Sequence, residues 1–237
     1  MTSLRPAPPE AVAAALTDVA DLGSFFSLAV GEADGEWRPV GDAYAAGLAH
    51  LVAGRVARYG TTEQRIAASV VQLGHAARLW APVLGCVLLH GIVPDLGELQ
   101  QRTDGPALRL PAPRGWWAPS GEALTRVVYR LVMDEHLAPL AAGLQVKVAA
   151  GLLHGNAASA MAEAARDILR HHPGLRTPVT RTPVTRLAVG LLRTGDLRGR
   201  GEFTGPDLGF RRRSCCLYYR VPGGRRCADC SLDRTPR

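Results

Sequence analysis

The stretch on which the reading of this chain turns is Arg213-Ser-Cys-Cys-Leu-Tyr-Tyr-Arg-Val-Pro-Gly-Gly-Arg-Arg-Cys-Ala-Asp-Cys230. It holds four of the five cysteines in 237 residues. Cys215 and Cys216 are adjacent, ten residues separate Cys216 from Cys227, and two separate Cys227 from Cys230, a C-C-x10-C-x2-C spacing. Between the pairs lies Pro222-Gly223-Gly224. Glycine supplies backbone conformations that other residues resist, so a turn here brings the two pairs face to face.

Three readings compete for these thiols. Disulfides are the weakest: the opening Met1-Thr-Ser-Leu-Arg-Pro-Ala-Pro-Pro-Glu10 shows no basic region followed by an apolar core. Without a visible secretory signal the expected compartment is the cytoplasm, where clustered cysteines stay reduced and serve as metal ligands or catalytic groups. Zinc suits Cys227-x2-Cys230, but structural zinc sites space each ligand pair by about two to four residues, and Cys215-Cys216 has no spacer. A [2Fe-2S] cluster spreads four thiolates over two metals and accepts diverging neighbours more readily than one tetrahedral ion. The spacing favours the cluster and leaves zinc as the alternative.

The run Cys215-Cys-Leu-Tyr-Tyr-Arg-x-Pro-Gly-Gly…Cys-x-Asp-Cys-x-Leu232 resembles the C-terminal signature of the FhuF-type ferric siderophore reductases. A weaker likeness runs through Ala77-Arg-Leu-Trp-Ala-Pro82 with Leu84-Gly85, His136-Leu-Ala-Pro-Leu140 and Leu153-His-Gly-Asn-Ala-Ala-Ser159, so it spans residues 60–232. His154 departs from it, standing where the family would place tryptophan before Gly155-Asn156. The resemblance implies a cytoplasmic one-electron reductase that releases iron from a ferric siderophore. It also implies a [2Fe-2S] cluster held by Cys215, Cys216, Cys227 and Cys230.

Charge is concentrated at the same end. The formal net charge is +7, and residues 211–237 carry eight arginines against Asp229 and Asp233, leaving the preceding 210 residues nearly neutral. A general nucleic-acid binder spreads basic groups along a face, whereas these crowd the thiols, so no nucleic-acid partner is expected. Their plainest use is to offset an anionic cluster; Arg213 and Arg220 are the candidates for meeting an acidic electron donor or an anionic iron chelate. Arg234 and Arg237 read as a solvated tail.

The body reads as mainly α, a helical domain with a few short strands. Hydrophobic residues make up 47% and aromatics 5% of the chain, enough apolar matter for a core rich in alanine and leucine. Apolar spacing predicts helices over 9–20, over 42–59, from 65 to about 89 with a kink at Pro82, over 121–137, and from about 144 to 169. The run 79–89 is too short to span a bilayer and is expected to be buried, with Cys86 a small core residue. Residues 91–121 are dense in glycine and proline and predict loops and one hairpin, with Leu108-Arg-Leu110 and Trp116-Trp117 the strand-like pieces. Trp116 and Trp117 are candidates for lining a ligand pocket, and Asn156, inside a helix, for a core or substrate contact.

The duplication Arg176-Thr-Pro-Val-Thr180, Arg181-Thr-Pro-Val-Thr185 predicts an extended linker, followed by a short helix over 186–193 and a mobile glycine-rich connector over 195–209. The expected division is a body over 1–194, with the ferric-siderophore site, and a connector plus cluster segment over 195–237. No histidine pair has convincing metal spacing, and no dinucleotide fingerprint is visible, so an external donor such as a reduced ferredoxin or flavin reductase is expected. An iron-sulfur sensor with a DNA-contacting basic tail and a zinc-stapled helical binding protein are the other classes the sequence admits.

Overall fold

A computed structural model describes residues 4–32, 35–175 and 177–232. The chain is mainly α, and its axis is α4 (Gln64–His90), in which every residue from Leu79 through Val87 is buried. A helix apolar on all sides belongs at the centre of a fold, and α4 is surrounded by α1 (Pro9–Ala20), α3 (Ala49–Tyr59), α7 (Ala150–His171) and strand β3 (Ile92–Pro94). By length and composition α4 could cross a membrane, but 72% of its apolar window is buried inside the protein, which accounts for that hydropathy by core packing. The helix assignment runs unbroken through Pro82, and Cys86 is wholly buried.

The α4–α7 contact is the broadest in the molecule, and the sequence of α7 explains it. All residues from Gly155 through Ala162 are buried, and five of these eight are alanine or glycine. Small side chains let the two backbones approach closely. On the opposite side of α4, a Cβ at Gly85 would meet Val19 Cγ1 of α1 at 2.9 Å, so that crossing too depends on a missing side chain.

Several expectations are corrected. The helix expected over 42–59 is two, α2 (Val40–Ala45) and α3, broken where Gly47 and Leu48 adopt φ of 60° and 53°. The break has a packing cause: Gly47 and Gly143 bring the α2–α3 corner against the end of α6 (Ala138–Gly143), where a Cβ on either would strike backbone. The same contact keeps 144–149 out of the next helix, so α7 begins at Ala150 rather than near 144. The helix expected over 121–137 starts as α5 (Gly121–Tyr129) and continues as π-helical turns over Arg130–Leu137 into α6, with Pro139 in the first turn of α6.

Residues 91–121 hold more sheet than expected. Strands β3 and β6 (Gly115–Trp117) form one antiparallel pair. Strands β1 (Ala29–Val30), β5 (Leu108–Leu110), β4 (Gln100–Arg102) and β2 (Trp37–Pro39) form a second sheet in that order, β1 lying parallel to β5 and the other neighbours antiparallel.

The duplicated segment is not an extended linker. Residues Pro178–Leu192 form helix α8, opened by Thr177, whose hydroxyl accepts the Thr180 amide while Thr180 Oγ1 accepts the Thr177 amide. That reciprocal cap, with Pro178 in the first turn, gives the repeat a helical start; Arg176 lies outside the described residues. Nor is 195–209 a loose connector: after a short turn, β7 (Gly201–Thr204) pairs with β8 (Gly209–Arg212), closed by a Phe203–Phe210 ring contact at 5.5 Å and packed on α7. This hairpin delivers the chain to the cysteines from a fixed platform.

Candidate metal centre

Strand β8 ends at Arg212, and the chain then makes three tight features in succession. Leu217 adopts φ of 69°, Tyr218–Arg220 form a single 3-10 turn, and Gly223 adopts φ of 70°. Gly224 donates its amide to Val221 O at 2.7 Å, and the Asp229 carbonyl receives the Arg212 amide at 3.1 Å. The segment therefore doubles back on the strand that introduced it, and the two cysteine pairs meet.

Each pair is docked on a different central helix. Ser69 of α4 donates to the Cys216 carbonyl at 2.8 Å, fixing the Cys215-Cys216 step. Asp229, between Cys227 and Cys230, is itself only 5% exposed. It accepts from Ser159 Oγ of α7 at 2.7 Å and pairs with buried Arg166 of α7 at 3.4 Å. Charged groups are rarely buried unless paired, so Asp229 and Arg166 account for each other.

Thiols of the two pairs meet at Cys216 and Cys227. Cys216 and Cys227 lie 3.8 Å apart, and Cys215 Sγ accepts the Leu217 amide at 3.3 Å. Cys215 feels the charges of Cys216 and Cys230, and Cys227 those of Cys216 and Cys230. All five cysteines are free, so no disulfide links them. Sharing a proton with Cys227 lowers the Cys216 pKa to about 6, helped against burial by the Tyr218 amide and Arg212, and holds the Cys227 thiol up. Burial is the largest influence on Cys215 and raises it, opposed by the Leu217 amide and Arg212.

Arg212 is the unusual member of the site. It is 2% exposed and has no carboxylate partner among the described residues. Its Nη2 donates to Asn156 Oδ1, while Nε and Nη1 are buried without a partner. Asn156 is fully buried and held by α4: its Nδ2 donates to Ser69 O at 2.9 Å and Gln72 Oε1 at 3.0 Å. Beside it, buried Ser214 Oγ also lacks a partner, and it packs where Gly155 has no side chain. A Cβ on Gly155 would occupy that position.

These orphaned donors are the test of whether the residues suit an iron-sulfur cluster. A buried guanidinium with unfilled N–H groups is costly unless an anion lies beside it. A cluster with thiolate ligands and bridging sulfides is anionic and accepts hydrogen bonds at sulfur, which is what Arg212 and Ser214 lack. Among the described residues no three His, Cys, Asp or Glu side chains converge on a point suited to one metal ion. Thiols of the two pairs do meet at Cys216 and Cys227, and all four are free, so the donor set beside these unfilled N–H and O–H groups is the one a cluster uses.

The other candidate residues lie as follows. Arg213 is exposed, with its amide bonded to Arg200 O at 2.9 Å, and exposed Arg220 pairs with Glu63 at 2.7 Å. Trp116 and Trp117 are half-buried in the β3–β6 pair, Trp117 beneath the Arg5 guanidinium at 5.1 Å; no described hydrogen bond or ring contact joins them to the cysteine loop. His154 Nδ1 lies 3.8 Å from Asp196 Oδ1, beyond hydrogen-bond distance. Arg234 and Arg237 lie outside the described residues.

Sequence reasoning missed two arrangements. One is the anchoring set of Ser69, Gln72, Ser159, Arg166 and Arg212; the only local signal was Asp229 between two cysteines. The other is a buried triad in which Tyr44 Oη lies 2.7 Å from His75 Nε2 and 3.1 Å from His136 Nδ1. Burial holds both histidines neutral, at about 3 for His75 and about 4 for His136. No sequence spacing announces this meeting of three elements.

Comparison with known proteins gives one match: residues 212–232 fit the family described as FhuF 2Fe-2S C-terminal domain. No curated protein and no solved structure matches the chain. The match covers β8's last residue and the whole cysteine loop, the region where orphaned donors and paired thiols meet. The chain thus carries an FhuF-type 2Fe-2S C-terminal domain, and its cofactor is a [2Fe-2S] cluster.

Proposed function

We propose that the protein is a cytoplasmic one-electron reductase of Fe(III)-siderophores, with Cys215, Cys216, Cys227 and Cys230 as the cluster ligands. The observation that carries this reading is the site's position at the surface. Cys216 is buried, but Cys215, Cys227 and Cys230 are half-buried, and around them Tyr218, Tyr219, Arg213, Arg220 and Arg225 are exposed. A centre that only staples a fold gains from closure, whereas one that exchanges electrons with a separate molecule has to be approached. When bound, the cluster supplies a one-electron reductant.

The chain's own residues do the rest. Ser69 and Asp229 tie the two cysteine pairs to α4 and α7, which limits rearrangement on electron transfer. Arg212 sets a fixed positive charge beside the sulfurs, which favours the more negative reduced state. The basic rim steers an acidic donor, such as a reduced ferredoxin or a flavin reductase, and attracts anionic chelates. Siderophores bind Fe(III) through hard oxygen ligands that hold Fe(II) far less well, so reduction loosens the chelate.

The test is anaerobic mixing of reduced, cluster-loaded protein with an Fe(III)-siderophore in the presence of a ferrous-specific chromophore. The expected result is ferrous release together with reoxidation of the cluster absorbance. No reoxidation by any ferric chelate, combined with salt-sensitive DNA binding, would replace this reading with a sensor.

A further inference from the structure

A second feature is a cleft of about 260 Å³ between α3 and α4. Its wall holds Arg55, Arg58 and Arg78, with His50 and the buried His75, and a single carboxylate, Asp104. Asp104 is already engaged, bonded to Arg102 Nε at 2.6 Å. None of the three arginines has a carboxylate partner among the described residues. Arg78 donates to Gly74 O of its own helix at 2.9 Å and lies 4.9 Å from the Phe25 ring, while Arg55 rests on the Tyr59 ring at 5.4 Å.

Positive groups gathered round a concavity without counter-charge repel one another, and an anion placed between them turns that repulsion into attraction. Arg78 registers the repulsion: its guanidinium is pushed below its ordinary value by burial and then by Arg55. Guanidinium forks match planar oxygen pairs such as carboxylate, catecholate or phosphate oxygens. The cleft is smaller than the ~300–1,000 Å³ pockets that enclose a drug-sized ligand, so it would take one oxygen-bearing arm and leave the bulk of a chelate outside.

The cleft adjoins the cluster segment through aromatic contacts. Arg55 lies over Tyr59, the Tyr59 and Tyr218 rings are 5.7 Å apart, and the Tyr218 amide engages Cys216. Arg220, two residues beyond Tyr218, pairs with Glu63 just before α4. The cleft's Arg55 is thus linked through Tyr59 and Tyr218 to the loop that carries the thiols.

We propose that the α3–α4 cleft binds an anionic arm of a polyanionic Fe(III) chelate, so that the protein prefers negatively charged chelates to neutral ones. This deepens the reductase reading and rests on it for the identity of the ligand as a substrate. Binding is separated from turnover by redox-inert gallium complexes. Calorimetric titration of the cluster-loaded protein compares Ga(III) tris-catecholate, which is strongly negative, with neutral Ga(III) tris-hydroxamate and with inorganic phosphate. Two variants, Arg58→Ala and the double Arg55→Ala/Arg58→Ala, spare the half-buried Arg78, and retained helical circular dichroism excludes misfolding as the cause of any loss.

The expected result is that the tris-catecholate binds at least about tenfold more tightly than the neutral complex. Its affinity falls with added salt and drops about tenfold or more in the double variant, while binding of the neutral complex is unchanged. Equal affinities that ignore both variants would overturn the proposal. So would phosphate binding that depends on Arg55 and Arg58 when no chelate does, which would make the cleft a free-phosphate site. Normal reduction of neutral chelates by a protein that fails this titration leaves the reductase reading standing and removes the cleft; variant-sensitive gallium-chelate binding by a protein that reduces no ferric chelate does the reverse.

Discussion

Two of the buried polar assemblies among the described residues differ in what they leave unfilled. Tyr44, His75 and His136 meet as neutral groups that satisfy one another except at His136 Nε2, and no charge is stranded. Arg212, Asn156 and Ser214 meet at a cation, and Arg212 Nε, Arg212 Nη1 and Ser214 Oγ have no partner. The first assembly accounts for itself as structure. The second is complete only with an anion, and it lies beside the cysteine loop, so what distinguishes the cofactor site is a buried cation with unfilled donors next to free thiols.

The hardest way to break that contrast is to cut the anchor on α7. Asp229→Ala strands Arg166 and frees the Cys227–Cys230 turn, and removing one partner of a buried pair costs about 3–5 kcal/mol. Denaturant unfolding of the cluster-loaded protein should show a loss of that order together with faster cluster release. Pairing it with Arg166→Met, which removes the stranded charge, should recover much of the stability and little of the cluster retention. Equal recovery of both would mean that Asp229 matters only to the fold.

A smaller effect is expected from Arg212→Gln, which removes the charge and keeps a donor. One charge beside a partly buried cluster is worth on the order of 100 mV, so the cluster potential should fall by roughly that amount. Arg212→Lys should restore most of it. A potential that stays the same in both variants would reduce Arg212 to packing.

How much of this was legible beforehand depended on distance along the chain. The cysteine loop was legible because its parts are adjacent: spacing, Pro222-Gly223-Gly224 and arginines all lie within one short segment. The long helices were legible from apolar spacing, although Gly47 and Gly143 moved their ends through a backbone contact between remote segments. The Arg-Thr-Pro-Val-Thr repeat misled because proline reads as a helix breaker, yet Pro178 sits where a helix start tolerates it and α8 carries Pro183 in its interior. Strands of three residues, such as Ile92–Pro94, are too short to show alternation. Of the anchors only Asn156 could be singled out, as a helical side chain in need of a partner; the partners themselves are remote, Asn156 meeting Ser69 across 87 positions and Ser159 meeting Asp229 across 70.

A pH series sharpens the neutral side of the comparison. Unfolding lets His75 and His136 return toward an ordinary value near 6.5, whereas burial holds them at about 3 and about 4 in the fold. Between those values the unfolded chain binds protons that the folded chain does not, so stability is full above about pH 6.5 and is lost as pH falls toward 4. The slope is at most about 1.4 kcal/mol per pH unit for each histidine. Thermal melts from pH 7 to 4.5 of the wild type and of His75→Phe/His136→Phe should show a shallower acid decline in the variant; identical slopes would show that the histidines do not carry it.

The central claim is that the two docked cysteine pairs hold a two-iron cluster. EPR spectroscopy of anaerobically purified, dithionite-reduced protein, with iron and sulfide analysis, tests it most directly. The account predicts about two irons and about two sulfides per chain, with a rhombic S = 1/2 signal lost in Cys216→Ser and Cys227→Ser. A colourless protein containing zinc and no sulfide, or an unchanged signal in both variants, would contradict it.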